Sequence, residues 1–400
     1  MTSLTALLCL TTFSNIFSGG AFPAVLPDMA RSAALADWQL GLVAGAFGFA
    51  RMVAAIPIGL FLTHNLRRAL WLGPLVLATG ALCVTSGGGL PMLVLGRLLM
   101  GLGQALSMVG GLTAILRFQS GTNLAAALAA YELSAMIGML GGAAVIAALP
   151  GSLPWNTAFL LTCTPQLIGV ITVPKLLAAL PAQDGAGGAQ PLFARQATNG
   201  TAVNPTSHAD QTRRPSLVPL AFAAGGMIAL TYSTMEQFLV PLRVSREFGL
   251  ERAGVARLFM VQQVFDIAAL IPTGILADRR GAARVLSVIL MVMATANALV
   301  GFGTLPVVVL GCALFGLSMS GWMLPLSVLR RETAAEQVSW RTGLYRVCVD
   351  GGLFLGPFLS GILGMHLAGF LPALWTAALA LTSLLLLARA RSSGTMAVHG

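Results

Sequence analysis

Gly274-Ile275-Leu276-Ala277-Asp278-Arg279-Arg280-Gly281-Ala282-Ala283-Arg284-Val285-Leu286 is a short basic turn set between two long apolar runs. It reads G-x-L-A-D-R-x-G-x-x-R. Glycine lets two helices approach closely. Asp278 falls where one helix ends and the next begins. There its carboxylate can accept from free backbone N–H groups and pair with Arg279, Arg280 or Arg284.

The runs on either side decide what kind of chain this is. Of 400 residues, 56% are hydrophobic and only 9% charged, with a mean hydropathy of +0.85. Soluble domains carry about 25% charged residues, so no water-soluble core fits this composition. Apolar segments of about twenty residues recur from end to end, each long enough to cross a bilayer of roughly 30 Å. The formal charge of +10 comes from basic residues scattered through short loops without aromatic interleaving. That pattern excludes a nucleic-acid surface and suits a membrane protein with arginines on one side. Five cysteines (Cys9, Cys83, Cys163, Cys312, Cys348) and four histidines lie dispersed, with no CxxC. Neither a disulfide framework nor a metal site is expected.

In chain order, residues 4–27 form a first span; no basic n-region precedes it, so a retained helix rather than a signal peptide is expected. Further spans are expected near 38–62, 69–87, 91–116, 123–149 and 155–180. Residues 182–215 are rich in Gln, Gly, Ala, Asn, Thr and Pro; with little to bury, they read as a disordered polar linker. Six more spans follow, near 217–241, 253–277, 284–303, 305–328, 338–364 and 367–388. The expected organisation is a six-helix bundle over 1–181, a linker over 182–215, a second bundle over 216–390 and a tail over 391–400. With the N-terminus inside, fifteen Lys and Arg residues fall in the inner loops and five in the outer ones. Both termini and the linker are therefore expected on the cytoplasmic side of the plasma (inner) membrane.

The two halves repeat. A shift of 215 residues, the step from Arg51 to Asp266, lays Arg51…Pro57-Ile58-Gly59 on Asp266…Pro272-Thr273-Gly274. The same shift lays Pro91…Gly96…Gly101 on Pro306…Gly311…Gly316. One residue less lays Tyr131-Glu132…Gly138…Gly142 on Tyr345-Arg346…Gly352…Gly356. Parallel halves related by an axis along the membrane normal are a transporter architecture.

The 274–286 stretch resembles the cytoplasmic loop motif of the major facilitator superfamily of secondary transporters. Leu93…Arg97…Gly101-Leu102-Gly103 resembles that superfamily's L-x3-R-x2-Q-G-x-G pattern in the fourth span, with Met100 in place of the glutamine. The resemblance implies that Arg97 takes part in proton coupling. Gly352-x3-Gly356-Pro357-x3-Gly361 resembles the glycine–proline pattern of drug–proton antiporters, although that pattern normally sits in the fifth span. The first-half copy of the loop, Gly59…Thr63-His64-Asn65-Leu66-Arg67-Arg68, has Thr63 where the carboxylate should be. As gating residues the resemblance implies Gly274, Asp278, Arg279, Arg280, Gly281 and Arg284, with Gly59, Arg67 and Arg68 in the first half. The implied fold is all-α, with about twelve membrane helices in two pseudo-symmetric bundles.

Ionisable side chains in hydrocarbon cost about 2.5–3.5 kcal/mol each, so each is a functional candidate. Seven stand inside the spans: Arg51, Arg97, Glu132, Glu236, Asp266, Arg346 and Asp350. Four acids against three bases leave one excess carboxylate, which one proton neutralises. In the superfamily's fold, spans two and eleven face each other, as do spans five and eight. That groups Arg51 with Arg346 and Asp350, and Glu132 with Asp266. Two carboxylates facing each other in low dielectric share a proton. Glu132, Asp266 and Arg97 are thus the expected coupling residues. Arg51, Arg346, Asp350, Glu236 and Gln263 are the expected substrate residues. Structural roles compete: Arg346 and Asp350 are i,i+4 and can neutralise each other, and Glu236, placed near the outer end of its span, can snorkel to water. Gln237, Gln262, Tyr131, Tyr345 and Trp322 are available to line a cavity or to pack.

These readings converge on a secondary transporter working as a monomer by alternating access, with a small-molecule substrate and the lipid bilayer as partners. It would be driven by a proton gradient with no cofactor, and would perform proton-coupled efflux of a small organic solute. Two other readings stand beside it. One is proton-coupled uptake of an organic anion or other small metabolite. The other is a non-transporting membrane sensor or assembly component with the same fold, to which the lost acid at Thr63 points. No nucleophile–base set or ligand cluster indicates an enzyme.

Overall fold

The computed structural model describes residues 3–119, 123–181, 217–333 and 335–395; the linker stretch 182–215 and the last five residues lie outside them. Among the described residues the regular structure is all helical. The first half comprises α1 (Ser3–Asn15), α2 (Phe17–Ser32), α3 (Asp37–Thr85), α4 (Gly89–Phe118), α5 (Asn123–Ala148), α6 (Trp155–Cys163) and α7 (Gln166–Ala179). The second comprises α8 (Val218–Thr234), a π-turn (Met235–Leu239), α9 (Val240–Phe248), α10 (Arg252–Arg280), α11 (Ala282–Phe302), α12 (Leu305–Met319), α13 (Leu324–Arg331), α14 (Ala335–Ala368) and α15 (Phe370–Thr395). α15 thus runs into the stretch expected as tail from residue 391.

Among the described residues, eleven stretches are long and apolar enough to cross a bilayer. One of them crosses twice. α3 has 49 residues, about 73 Å of helix against a hydrocarbon core of roughly 30 Å, and its backbone leaves helical values at Asn65 (φ −121°, ψ 34°). The return is visible in the packing. A Cβ on Gly101 would lie 2.3 Å from the Phe47 carbonyl oxygen, and one on Gly103 2.5 Å from the Leu77 nitrogen. Residues 47 and 77 therefore flank the same turn of α4, whereas a straight helix would hold them about 45 Å apart. Twelve crossings result among the described residues.

Proline explains several of the breaks. Pro165 stands at the junction of α6 and α7. Pro241 has no N–H for the carbonyl four residues back, and the turn before it widens into the π-turn that carries Glu236.

The internal repeat is written in the helix crossings. Gly101 meets the backbone of Phe47, and its twin Gly316 meets that of Gln262, the residue 215 positions beyond Phe47. Gly138 and Gly142 close on Phe13 and Phe17 of the α1–α2 span, as Gly352 and Gly356 close on residues 226–234. Equivalent glycines thus let equivalent helices touch at backbone distance in both halves.

Between the halves, α3 runs against α14 and α5 against α10. This seam is tight at one end. A Cβ on Gly41 would fall 2.5 Å from the Pro357 oxygen and 2.7 Å from the Gly361 Cα, and one on Gly48 would fall 2.6 Å from the Leu353 carbonyl carbon. Toward the other end, where the basic loops lie, Gly59, Gly274 and Gly343 have nothing within 4 Å of the position a Cβ would take. The molecule is closed at one face and open at the other.

Candidate functional site

Halfway along the spans, the second half gathers a polar cluster. Tyr232 and Glu236 are one turn apart, so the Tyr232 hydroxyl donates to Glu236 Oε1 at 2.8 Å. Gln262 Nε2 reaches across from α10 and donates to Glu236 Oε2. One turn further along the same helix, Gln263 Nε2 donates to Asp266 Oδ2 at 3.4 Å. The other oxygen, Asp266 Oδ1, is buried without a hydrogen-bond partner. Glu236 is 5% exposed and Asp266 9%. A small cavity adjoins them, lined by Gly20, Met139, Ala143, Glu236, Phe259 and Gln263. Glu132 on α5 is half-buried and lies within electrostatic reach of Asp266 and of Arg346.

Of the two readings open for Glu236, the interior one fits its place. Its carboxylate does not snorkel to water: it is buried and takes both of its hydrogen bonds from side chains. The acidic group therefore has three members, Glu132, Asp266 and Glu236. Tyr232, which periodicity alone gave no reason to single out, holds the third. Trp322 stacks edge-on against Tyr232 with centroids 5.8 Å apart, so it packs at the margin of the cluster. Tyr131 and Tyr345 are buried against Gly111 and Gly225 and serve packing.

The expected grouping of Arg51, Arg346 and Asp350 is present. Asp350 Oδ1 accepts from Arg51 Nε at 3.0 Å, and Asp350 Oδ2 lies 3.5 Å from Arg346 Nε on its own helix. One buried carboxylate therefore serves two guanidiniums, one from each half. Arg346 keeps 36% of its side-chain surface open, against 14% for Arg51. The within-helix pair and the contact between halves coexist.

Arg97 stands apart. It is 3% exposed and donates to the carbonyls of Val43 and Ala44, both at 3.4 Å. Its guanidinium lies 3.6 Å from the centroid of Phe22 and 4.8 Å from that of Phe47. Among the described residues it makes no ion pair. Cation–π contacts and backbone carbonyls hold it in place.

Helices, repeat and charged interior all point one way, and comparison with known proteins agrees. The profile described as Major Facilitator Superfamily matches residues 8–239, more than half of the chain. The chain belongs to the Major Facilitator Superfamily. It is a multi-pass integral membrane protein and a transporter rather than an enzyme. No curated protein matches the sequence. Among solved structures, the nucleoside transporter NupG is similar over 97% of this chain and 99% of its own, with a TM-score of 0.72 and 12% identity. A POT family transporter in complex with 5-aminolevulinic acid is similar over 96% and 95%, with a TM-score of 0.77 and 12% identity. The human organic anion transporter MFSD10 is similar over 96% and 100%, with a TM-score of 0.66 and 15% identity. At such identities the likeness is one of fold.

The superfamily loop lies at the open face of this transporter. Gly281 takes φ +88° and separates α10 from α11. Asp278, Arg279, Arg280 and Arg284 are all exposed. Among the described residues, none of the pairings expected between Asp278 and these arginines forms an ion pair. In the first half, Arg67 donates to the carbonyls of Leu180 and Pro181 at 3.1 and 3.2 Å. Arg117 donates to those of Leu62 and Thr63 at 3.1 and 3.2 Å, beside the Asn65 turn. Thr63, in the acid's place, bonds its own helix at Leu60 and the His64 ring. Arg68 is exposed, and neither Gly59 nor Gly274 has a neighbour to meet.

At the closed face, charges that read as ordinary loop residues join the halves. Arg252, 4% exposed, donates to Asp28 Oδ2 at 3.3 Å and to the carbonyls of Pro150 and Leu153. Arg246 pairs with Asp37 at 2.8 Å. No periodicity in the sequence marks these four side chains.

Proposed function

We propose that this transporter carries out proton-coupled efflux of a small organic solute, with Glu132, Asp266 and Glu236 as the proton-handling group. One observation carries the reading. Three carboxylates cluster inside the membrane, and an oxygen of Asp266 is buried with no donor. Such an arrangement is costly unless a proton is exchanged there. Counted with Arg51, Arg97, Arg346 and Asp350, the interior has one carboxylate in excess. Binding a proton neutralises it, and a cationic or polar solute could replace that proton. The halves 1–181 and 216–390, joined by 182–215, would rock about the seam. The Asp28–Arg252 face would close while the 274–286 face, cytoplasmic by its arginines, is open. Arg97 would brace α4 against α3 during this motion, and Arg51, Asp350 and Arg346 would line the path and contact the solute. The protein would work as a monomer in the inner membrane, with the linker and both termini in the cytoplasm.

The half-open Arg346 supports a second reading, uptake of an organic anion with a proton. The test is proton release from the detergent-solubilised full chain on addition of cations, sugars and organic anions. Glu132→Gln and Asp266→Asn are run beside wild type. A compound that releases protons from wild type and not from either variant supports antiport and names the solute class. An anion that takes up protons on binding supports uptake. Binding without proton movement, unchanged in both variants, would sink the coupling role. Absence of any proton movement in proteoliposomes after an acid pulse would favour a sensor with a transporter fold.

A further inference from the structure

Away from the central cluster, α10, α11 and α15 leave a groove of about 470 Å³ at the open face, lined by Leu276, Arg280, Arg284, Val285, Val288 and Leu387. The volume is in the range of small-molecule sites, roughly 300–1,000 Å³. Its walls are divided. Leu276, Val288 and Leu387 give an apolar side, and Val288 is 58% exposed. Arg280 and Arg284 stand together at the level where α10 ends and α11 begins. Both are exposed, and neither forms an ion pair among the described residues. The first turn of α11 borders the same groove, and helix N-termini favour phosphate. Asp278 does not line it.

A groove with an apolar side facing the acyl chains and two unpaired guanidiniums at helix-end level has the polarity of an anionic lipid. We infer that it binds one anionic diacyl phospholipid, with the phosphate on Arg280 and Arg284 and the upper acyl chains along Leu276, Val288 and Leu387. Guanidinium pairs suit phosphate because each presents a planar fork of donors. A zwitterionic lipid offers the same phosphate but brings its own cation toward the arginines, so it binds less well. A free phosphate ion gains nothing from the apolar wall.

The full chain, purified in non-ionic detergent and freed of lipid, would be titrated with dioleoyl phosphatidylglycerol or dioleoyl phosphatidylcholine and read by native mass spectrometry. Wild type should hold the glycerol lipid about tenfold more tightly, because its net negative charge is not offset by a headgroup cation beside the arginines. Arg280→Gln with Arg284→Gln should abolish that preference. Arg330→Gln with Arg331→Gln, the same charge change outside the groove, should keep it. Val288→Trp, which fills the apolar side and leaves both arginines, should weaken binding of the glycerol lipid. Millimolar inorganic phosphate should not displace it. Equal binding of the two lipids by wild type, an unchanged preference in the Arg280/Arg284 variant, unchanged binding in Val288→Trp, or displacement by phosphate would each overturn the assignment.

Discussion

Arg252 and Asp28, 224 positions apart in the chain, meet at 3.3 Å across the closed face, and the same guanidinium bonds the Pro150 and Leu153 carbonyls. One side chain from the second half thus ties down two segments of the first. Arg252 is almost fully buried, so breaking this set strands a charge; the more exposed Arg246–Asp37 pair contributes about 0–1 kcal/mol.

Arg252→Gln removes the buried guanidinium that joins Asp28 to the Pro150 and Leu153 carbonyls and should shift the population toward a conformation open at that face. Spin labels at Ser32→Cys and Glu247→Cys would report it as a longer and broader interhalf distance. An unchanged distance distribution would show that the glycine seam alone keeps the face shut.

Asp350→Asn should destabilise the protein by about 3–5 kcal/mol, discounted for the open part of Arg346, because two arginines lose their shared anion. Adding Arg51→Gln removes one of the stranded charges and should recover about half. Thermal unfolding in detergent of the single and double variants measures the coupling. Strict additivity would mean that Arg51 and Asp350 do not depend on each other.

Glycines of the same type should differ sharply in tolerance. A Cβ at Gly316 would sit 1.9 Å from the Gln262 oxygen and one at Gly101 2.3 Å from the Phe47 oxygen, while Gly274 and Gly59 face open space. Gly316→Ala and Gly101→Ala should each lower the melting temperature by at least about 5 °C, and Gly274→Ala should change it by about 1 °C or less. Equal losses at all three would contradict the crossings described above.

Glu236→Gln should cost about 1 kcal/mol or less, since the Tyr232 hydroxyl can turn and accept from the new amide while the other oxygen still accepts from Gln262. Glu236→Leu leaves both partners unsatisfied in the interior and should cost about 2–4 kcal/mol. Chemical or thermal unfolding distinguishes the two, and a small loss in the leucine variant would place water beside Tyr232.

Much of this was legible beforehand, and the reasons are physical. Hydrocarbon demands runs of a minimum length, so the twelve crossings were countable, and the repeat fixed which glycines must be equivalent. The union of Arg51, Asp350 and Arg346 followed from the superfamily's pairing of spans. Burial around Glu236 was not legible: depth along a span says nothing about which way a side chain faces, and the widened turn before Pro241 changes that facing. Asp278 was credited with ion pairs that do not form among the described residues, because exposed charges gain too little to fix one geometry. The Asp28–Arg252 set lies in loops and helix ends, where no period links residues more than two hundred positions apart.

The arginines at the two faces bond to different kinds of acceptor. At the open face, Arg67 and Arg117 hold neutral carbonyl oxygens of Leu180, Pro181, Leu62 and Thr63; at the closed face, Arg252 and Arg246 also hold the carboxylates of Asp28 and Asp37. Salt screens the attraction between two opposite charges more than that between a guanidinium and a carbonyl dipole at hydrogen-bond distance. High ionic strength therefore loosens one end of the molecule and spares the other, so that the chemistry of the surrounding solution acts on this protein with a direction.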